Sequence, residues 1–330
     1  MPCFTHSRTR HWLARGAICL WLLLTPLWAV SAELIVNGSF ETNGGAGSTS
    51  FTGWTQVRQS GSGGAFYAQS GALTQVAHFV VPLAPLGSYA ALTDQIGPGS
   101  QVLYQDVSLP AGSLITLSMR LMVYNQANSF ASPANLDYQS VPNQQVRVDV
   151  VSIAAPSFDV GSGVLSNLYR SQPGQSLSQD YVTVAADLSA YAGQQVRLRI
   201  ASVDNLGGLN VGVDNVSILS TPLTTPGAPG IASVSVGPGL AVFTLTPPVD
   251  TGGGPIVDYG VSCSATGHPT VTGASTIPSV TVAPLQVGVR YSCTATASNA
   301  AFTSASSAAS AATVTTPLDI TPILMLMLLD

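Results

Sequence analysis

Two carboxylates stand beside strand-like apolar runs in a chain of 330 residues that carries few charges. Glu41 closes the stretch LIVNGSFE, and Asp214 lies in the stretch VGVDNVSIL. Simple alternation puts Asp214 on the same side as Val216 and Ile218, where an unpaired carboxylate is costly to bury. Asp214 therefore requires a partner, which can be a distant arginine, backbone amides or a hard cation.

Calcium is the cation that suits this pair, because it takes about six to eight oxygen ligands from carboxylates, amide side chains and backbone carbonyls. We expect Glu41 and Asp214 to bind a structural Ca²⁺ ion if the first and last strands of one domain are neighbours. The alternative is a pair of carboxylates that are hydrogen-bonded at strand ends without a metal.

A second set of candidate residues lies on the polar faces of three alternating runs, at 114–125, 144–153 and 194–203. Sugar sites combine an aromatic platform with a few polar groups. The predicted ligand-binding residues are Tyr124, Arg120, Arg147, Asp149 and Arg199. The alternative is a solvated sheet face with cross-strand ion pairs and an ordinary half-buried tyrosine. Trp54 is expected to pack in the core.

Catalytic motifs are scarce. His78 and His268 are the only histidines after residue 32, and neither lies in a metal or nucleophile motif. The sequence contains no GxSxG, HExxH or phosphate-loop pattern. A pair of catalytic carboxylates is left open, because acidic residues are always available and their spacing in space is not visible in a sequence. We expect a protein that is not an enzyme.

The first 32 residues resemble an export signal. Arg8, Arg10 and Arg15 precede an apolar run that ends in Val-Ser-Ala, and this run is too short to span a bilayer. Cleavage there predicts a mature chain from Glu33 with seven arginines, fifteen acidic residues and no lysine. Such an acidic chain is a poor nucleic-acid binder, and we expect no stable membrane span in it.

Cleavage would also leave two cysteines, Cys263 and Cys293. In an exported protein such a pair predicts one disulfide bond, with two buried free thiols as the alternative. The Pro/Thr-rich segment at 221–229 predicts a linker between two domains. Short alternating runs separated by Gly, Pro, Asn and Ser predict an all-β fold on both sides of it.

The segment 33–220 resembles bacterial jelly-roll domains of the carbohydrate-binding, galactose-binding-like superfamily. The likeness rests on LIVNGSFET at 34–42, FTGWTQV at 51–57, the 103–125 run and VGVDNVSIL at 211–219. It implies a jelly-roll β-sandwich whose first and last strands are adjacent, and a structural calcium in many relatives.

The segment 230–317 resembles a fibronectin type III module, an immunoglobulin-like β-sandwich, with Leu245 at the position of the usual tryptophan. Cys263 and Cys293 then fall on facing strands, and Tyr291 matches the corner tyrosine of such sandwiches. The short apolar tail at 318–330 is too short to cross a bilayer, and its role is left open.

Two functions of different classes remain. The first is a secreted or cell-surface bacterial protein that binds a polysaccharide or other glycan without catalysis. The second is a structural or adhesion protein that contacts envelope or matrix proteins and has no sugar site. A groove lined by Tyr124 and arginines would favour the first, and a covered sheet face would favour the second.

Overall fold

The computed structural model describes residues 30–310. The predicted export signal up to residue 29, the last residues of the predicted second domain and the 318–330 tail lie outside the described residues. Two β-sandwiches follow one another along the chain, which confirms the predicted all-β class. Within residues 30–310 no helix is long and apolar enough to cross a membrane.

The N-terminal domain is a jelly-roll β-sandwich of two antiparallel sheets, with one 3₁₀ turn at Ser189–Tyr191. Its strands are β1 (Ala32–Glu33), β2 (Thr55–Arg58), β3 (Gly64–Gln69), β4 (Ala90–Gln95), β5 (Gly99–Ser108), β6 (Ser113–Asn125), β7 (Gln144–Ser152), β8 (Val164–Arg170), β9 (Ser178–Asp187), β10 (Gln195–Asp204) and β11 (Leu209–Pro222). The first sheet has the order β3-β4-β11-β6-β9, and β1 also pairs with β11. The second sheet has the order β2-β5-β10-β7-β8.

Period-two alternation explains the core between these sheets. The residues predicted to face inward from the three alternating runs are all buried there: Ile115, Leu117, Met119, Leu121, Val123, Val146, Val148, Val150, Val196, Leu198 and Ile200. Each strand thereby presents one apolar face to the other sheet. Trp54 is also buried in this core, as predicted.

The first and last strands of this domain are neighbours. Ala32 and Glu33 pair with Ser220 and Leu219 of β11. The Glu33 carboxylate accepts hydrogen bonds from the backbone N–H groups of Ile35 and Ile218. The start of the domain is therefore attached to its last strand, which is the arrangement that a shared site for Glu41 and Asp214 requires.

The C-terminal domain is a smaller sandwich of two three-stranded sheets, ordered β12-β13-β16 and β15-β14-β17. Its strands are β12 (Gly230–Gly237), β13 (Leu240–Thr246), β14 (Asp258–Ala265), β15 (His268–Ser275), β16 (Ser279–Val282) and β17 (Ser292–Ser298). Leu245 is buried in its core, and the Tyr291 hydroxyl accepts a hydrogen bond from the Gln286 backbone N–H.

Cys263 and Cys293 form the predicted disulfide bond. They lie directly opposite each other on β14 and β17, which are adjacent strands of one sheet. The prediction that they stand on facing strands of the sandwich is therefore wrong, because the bridge joins two hydrogen-bonded neighbours.

The connection between the domains is held at several points. Leu223 is buried, and its backbone N–H donates to the Gly112 carbonyl of the first domain. The Thr224 carbonyl accepts a hydrogen bond from the Asn299 amide of the second domain. The segment that follows β11 is thus bonded to both sandwiches.

Candidate functional site

The Asn-Gly-x-Phe-Glu motif forms a tight loop that aims Glu41. The Asn37 amide donates to the Thr42 and Thr52 carbonyls, and its oxygen accepts from the Thr42 backbone N–H. Gly38 packs directly on β11, because a Cβ at this position would lie 1.8 Å from the Val216 carbonyl oxygen. Phe40 is fully buried against the ring of Trp54, with the ring centroids 5.1 Å apart. The next side chain along the loop is Glu41.

A β-bulge in β11 sets the direction of Asp214. Asp214 pairs with Arg120 and Ser217 pairs with Ser118, so one extra residue is inserted in β11 between these two pairs. Asn215, inside the bulge, has a φ of 48°. The insertion shifts the alternation by one residue, and Val216 and Ile218 face the core while Asp214 lies on the outer side. The prediction that Asp214 shares a face with these two residues is therefore wrong.

Glu41 and Asp214 nevertheless meet at one loop, which connects to the start of β4. One Asp214 oxygen accepts the Leu86 backbone N–H at 2.8 Å, and one Glu41 oxygen accepts those of Ser88 and Tyr89, both at 2.8 Å. Gly87 lies between them with a φ of 73°, and a Cβ there would be 2.5 Å from the Glu41 oxygen. The two carboxylates therefore hold the loop at 86–89 from two sides. We call this arrangement the carboxylate clamp.

Burial and like charge both act on the clamp. Burial and, to a smaller extent, the negative charge of Glu41 raise the pKa of Asp214 to about 6. Backbone N–H groups of Leu86 and Asn215 oppose this shift. Arg120 lies opposite Asp214 in the register, but its guanidinium points to β9, where it donates to the Thr183 hydroxyl and the Tyr181 carbonyl. The hydrogen-bond partners of the clamp are thus backbone amides.

The described residues contain no group of three or more His, Cys, Asp or Glu side chains arranged to hold a metal ion. A calcium ion at the clamp would thus take two ligands from carboxylates and the rest from backbone carbonyls and water. Such a donor set has the hard oxygen chemistry that calcium prefers.

Three of the predicted ligand-binding residues form a buried ion-pair network instead of a groove. Asp149 accepts two hydrogen bonds from Arg147 and one from Arg199, and Asp149 and Arg199 are 0% exposed. Arg199 also donates to the carbonyls of Ser157 and Asp159 in the loop that covers this sheet face. The prediction that these side chains face an open groove is wrong, because the loop after β7 closes over them.

Tyr124 and Arg120 lie on the outer face of the other sheet, so the five predicted residues do not share one surface. Tyr124 is half-buried, and its hydroxyl donates to Asp180, which raises the pKa of Tyr124 to about 12. It packs at the rim of a second apolar cluster that contains Leu92, Met122 and Tyr181. This part of the sheet face is covered.

An open pocket of about 280 Å³ lies at the end of the N-terminal sandwich. Its lining includes Phe79, Gln95, Gln126, Asp204 and the turn at 205–208. This turn lies directly before β11, and Leu223, at the domain connection, lies directly after β11. Fourteen residues of strand separate the two points, roughly 45 Å along the strand. The pocket therefore opens at the end of the domain that is far from the connection, and we call it the terminal pocket.

Two residues that line the terminal pocket each have a buried oxygen atom without a protein hydrogen-bond partner, Asp204 Oδ1 and Gln95 Oε1. Asp204 is 2% exposed and Gln95 is 7% exposed. Burial raises the pKa of Asp204 to about 7, against the opposing effects of the Gln95 amide and the Gly99 backbone N–H. The lining of the pocket thus combines an aromatic residue with two buried polar residues.

The sequence analysis missed Asp204 and Gln95. A signal was present for Asp204, because the alternation that places Val196, Leu198 and Ile200 inward continues through Ser202 to Asp204. A carboxylate in phase with a core face is unusual and marks a candidate site. No comparable local pattern marks Phe79, which reaches the pocket from a long loop.

No family model and no curated protein matches the sequence. Among solved structures, an adhesin domain of Lys-gingipain from Porphyromonas gingivalis aligns at 12% identity over 58% of this chain and 99% of that chain, with a TM-score of 0.37. TmCBM61 in complex with β-1,4-galactotriose aligns at 11% identity over 57% and 97%, with a TM-score of 0.34.

The titin kinase structure with its flanking domains aligns at 29% identity over 28% of this chain, with a TM-score of 0.26. The alignment spans only 17% of the length of that structure, and the twitchin kinase region of C. elegans is covered to the same extent. No family assignment follows from alignments with TM-scores this low.

Proposed function

We propose that this chain is a secreted or cell-surface protein that binds carbohydrate without catalysis, through its N-terminal jelly-roll domain. The observation that carries the proposal is the terminal pocket, in which the Phe79 side chain lies beside buried polar groups. Sugar recognition uses an apolar ring surface together with a few fixed hydrogen-bonding groups. The distance of the pocket from the domain connection leaves its mouth accessible to a large glycan.

An exported location is part of this proposal. A disulfide bond between Cys263 and Cys293 is typical of proteins that mature in an oxidising compartment. The predicted export signal at 1–32 is consistent with that compartment. In this view the C-terminal domain serves as a spacer or as a protein-contact surface, and the fibronectin type III assignment for 230–317 remains a proposal.

A glycan array in the presence of calcium tests the proposal on the chain from residue 33 to 330. Phe79→Ala should weaken binding by about five- to tenfold, because the ring contact is lost. Tyr124→Ala is the matched control, since it removes an aromatic ring from the covered sheet face, and it should bind as the wild type does. If Tyr124→Ala loses binding and Phe79→Ala does not, the sugar site lies on the sheet face and not in the terminal pocket. A wild-type protein that binds no glycan would reject the carbohydrate function.

A second candidate function is supported by a specific surface. The loop at 70–88 exposes four large apolar side chains: Leu73, Val80, Leu83 and Leu86. Together with the loop that closes over Arg199 on the second sheet, this surface favours a structural or adhesion protein that acts through protein contacts. A negative glycan array would make this the preferred function.

We also propose that a structural Ca²⁺ ion binds at the carboxylate clamp through Glu41 and Asp214. Two like charges lie near each other there, and their hydrogen-bond partners are neutral backbone amides. A divalent cation would offset their repulsion and link the start of the domain, β11 and the 86–89 loop. The role of the ion would be stabilisation of the fold.

The calcium proposal predicts a higher midpoint of thermal unfolding in Ca²⁺ than in EGTA. At a free concentration about 100 times the dissociation constant, the gain is about 2.7 kcal/mol, which corresponds to roughly 5–10 °C for a domain of this size. Asp214→Asn should abolish the difference, and Asp180→Asn, an exposed carboxylate of the same domain, should retain it. Equal midpoints of the wild type in Ca²⁺ and EGTA would reject the site.

A further inference from the structure

A second pocket, of about 290 Å³, opens beside the loop that precedes β7. Its lining consists of Gln59, Asn135, Leu136, Asp137 and Phe158, and we call it the loop pocket. The same loop is bonded to the lining of the terminal pocket, because the Asn205 amide donates to the Tyr138 carbonyl. The loop pocket therefore lies at the same end of the N-terminal domain as the terminal pocket.

The Asp137 carboxylate uses one oxygen for the fold and leaves the other open. Asp137 Oδ1 accepts hydrogen bonds from the Gln59 side-chain amide and the Gln139 backbone N–H. These two bonds stabilise the ionised form and lower the pKa of Asp137. Asp137 Oδ2 has no hydrogen-bond partner within residues 30–310, and it is not among the buried unpartnered atoms. Asp137 Oδ2 is therefore an accessible acceptor on a side chain that the fold holds in place.

The Asn135 side chain offers a donor beside this acceptor. Its oxygen accepts the Asp137 backbone N–H at 3.0 Å and the amide of Asn143, which is fully buried, at 2.9 Å. These bonds use the oxygen and leave the nitrogen as the open end of the amide. Asn135 Nδ2 has no partner in the described part of the chain, and it is not a buried atom. Because an amide nitrogen donates hydrogen bonds and does not bind calcium, the pair does not suit a metal ion.

An open acceptor next to an open donor complements two neighbouring hydroxyl groups. Each hydroxyl can donate or accept, so one can donate to the Asp137 carboxylate while the other accepts from the Asn135 amide. Phe158 adds an apolar surface to the pocket. Its ring is half-buried against a cluster that contains Leu136, so part of it remains exposed in the lining. An aromatic surface beside a few fixed polar groups is the combination that sugar recognition uses.

We infer that the loop pocket is a second sugar-binding site, in which Asp137 Oδ2 accepts a hydrogen bond from one hydroxyl of a vicinal diol and Asn135 Nδ2 donates to the other. This inference rests on the proposed carbohydrate function and adds a site separate from the terminal pocket. Gln59 and Asn143 are positioning residues, because they hold the two recognition groups. Hydrogen bonds to a carboxylate are the stronger kind, so Asp137 supplies the larger share of the recognition.

A nuclear magnetic resonance titration of the ¹⁵N-labelled 33–330 chain in calcium tests this inference site by site. The sugar probes are tetrasaccharides of β-1,4-linked glucose, mannose, xylose and galactose, together with the oligosaccharide that binds best on the array. Tetra-alanine is the peptide probe. At least one sugar should shift the amide signals of residues 135–137, including the Asn135 side-chain amide. The backbone amides of Gly207 and Gly208 report on the terminal pocket in the same spectra.

Two substitutions of similar shape test the recognition groups. Asp137→Asn should weaken sugar binding at 135–137 by about tenfold or more, because a carboxylate acceptor is replaced by an amide donor. Asn135→Asp should also weaken it, because the donor is lost. The matched control is Asp187→Asn. Asp187 is an exposed carboxylate that accepts the Ser189 backbone N–H in the same kind of turn, and its variant should bind as the wild type does.

The outcomes separate this inference from the proposed function. If a sugar shifts the signals of Gly207 and Gly208 but not those of 135–137, the loop pocket is overturned and carbohydrate binding stands. If both variants, shown to be folded by their thermal transitions, keep the wild-type affinity at 135–137, the assignment of the two recognition groups is overturned. A response of 135–137 to tetra-alanine and to no sugar also overturns the inference. If the wild type binds no sugar probe and no glycan on the array, the proposed function is overturned with it.

Discussion

At the scale of single residues, acidic side chains of this protein have different surroundings and therefore different roles. Asp149 is buried between two arginines, Asp214 accepts backbone N–H groups, and Asp204 keeps an oxygen without a protein partner. Two guanidinium groups form ion pairs with Asp149, whereas Asp204 has no ion pair and burial raises its pKa. A carboxylate that weakens the fold it belongs to is a candidate functional group.

This contrast predicts how Asp204 affects stability as the pH changes. Its pKa is raised to about 7 in the folded state from an ordinary value of 3.8, so the folded chain holds this proton more tightly than the unfolded chain does. The favourable contribution is complete below about pH 4 and is lost as the pH rises to about 7. Asp204→Asn removes this loss.

Thermal unfolding in EGTA, without sugar, measures the effect. The difference in midpoint between Asp204→Asn and the wild type should be smallest near pH 4 and should grow in favour of the variant up to about pH 7.5. Asp180→Asn serves as the exposed control and should follow the wild type. A variant that is less stable than the wild type at neutral pH would show that the fold needs the Asp204 charge.

At the scale of strands and loops, the alternation in the sequence predicts which side of each strand faces the core, and the structure confirms this for β6, β7 and β10. The alternation could not predict whether the outer face of each strand meets solvent or packs against a loop. Whether Arg147 and Arg199 meet solvent depends on where the loop after β7 packs, and the fixing contacts are two carbonyls of that loop, Ser157 and Asp159. Loop packing of this kind has no local sequence pattern.

The carboxylate clamp was also predicted only in part from the sequence. Adjacency of the first and last strands was expected from the resemblance, and the structure brings Glu41 and Asp214 to one loop. Strict alternation nevertheless put Asp214 on the wrong side of β11. The bulge shifts the apolar pattern by one residue, because the core positions are Val211 and Val213 before it and Val216 and Ile218 after it.

The buried network on the second sheet predicts a large difference between two similar substitutions. Asp149→Asn leaves two buried guanidinium groups without their counter-charge, which should destabilise the fold by about 3–5 kcal/mol. Asp106→Asn breaks the pair with Arg197 on the same sheet, but the Asp106 side chain is 36% exposed, so the loss should stay within about 1 kcal/mol.

Urea denaturation of the 33–330 chain measures both values. If Asp149→Asn unfolds like the wild type and loses glycan binding, then Asp149 contacts a ligand, and the description of this network as structural is wrong.

At the scale of the whole molecule, the terminal pocket, the carboxylate clamp and the domain connection lie at different levels along the N-terminal sandwich. The terminal pocket lies at one end of the N-terminal domain, and Leu223 and Thr224 connect the other end to the C-terminal domain. The carboxylate clamp lies between these ends, where Glu41 and Asp214 hold a loop that leads into β4. Since β4 ends at Gln95, a calcium ion at the clamp would brace a strand that ends in a pocket-lining residue.

The central claim is that a sugar binds at the end of the sandwich and not on its sheet faces. Amide hydrogen exchange of the 33–330 chain, with and without the oligosaccharide that binds best on the array, tests it most directly. We predict slower exchange in the segments 95–99 and 204–208, with unchanged exchange at 114–120 and around Arg147 to Asp149. Protection confined to the sheet-face segments, with none at 95–99 or 204–208, would contradict the account.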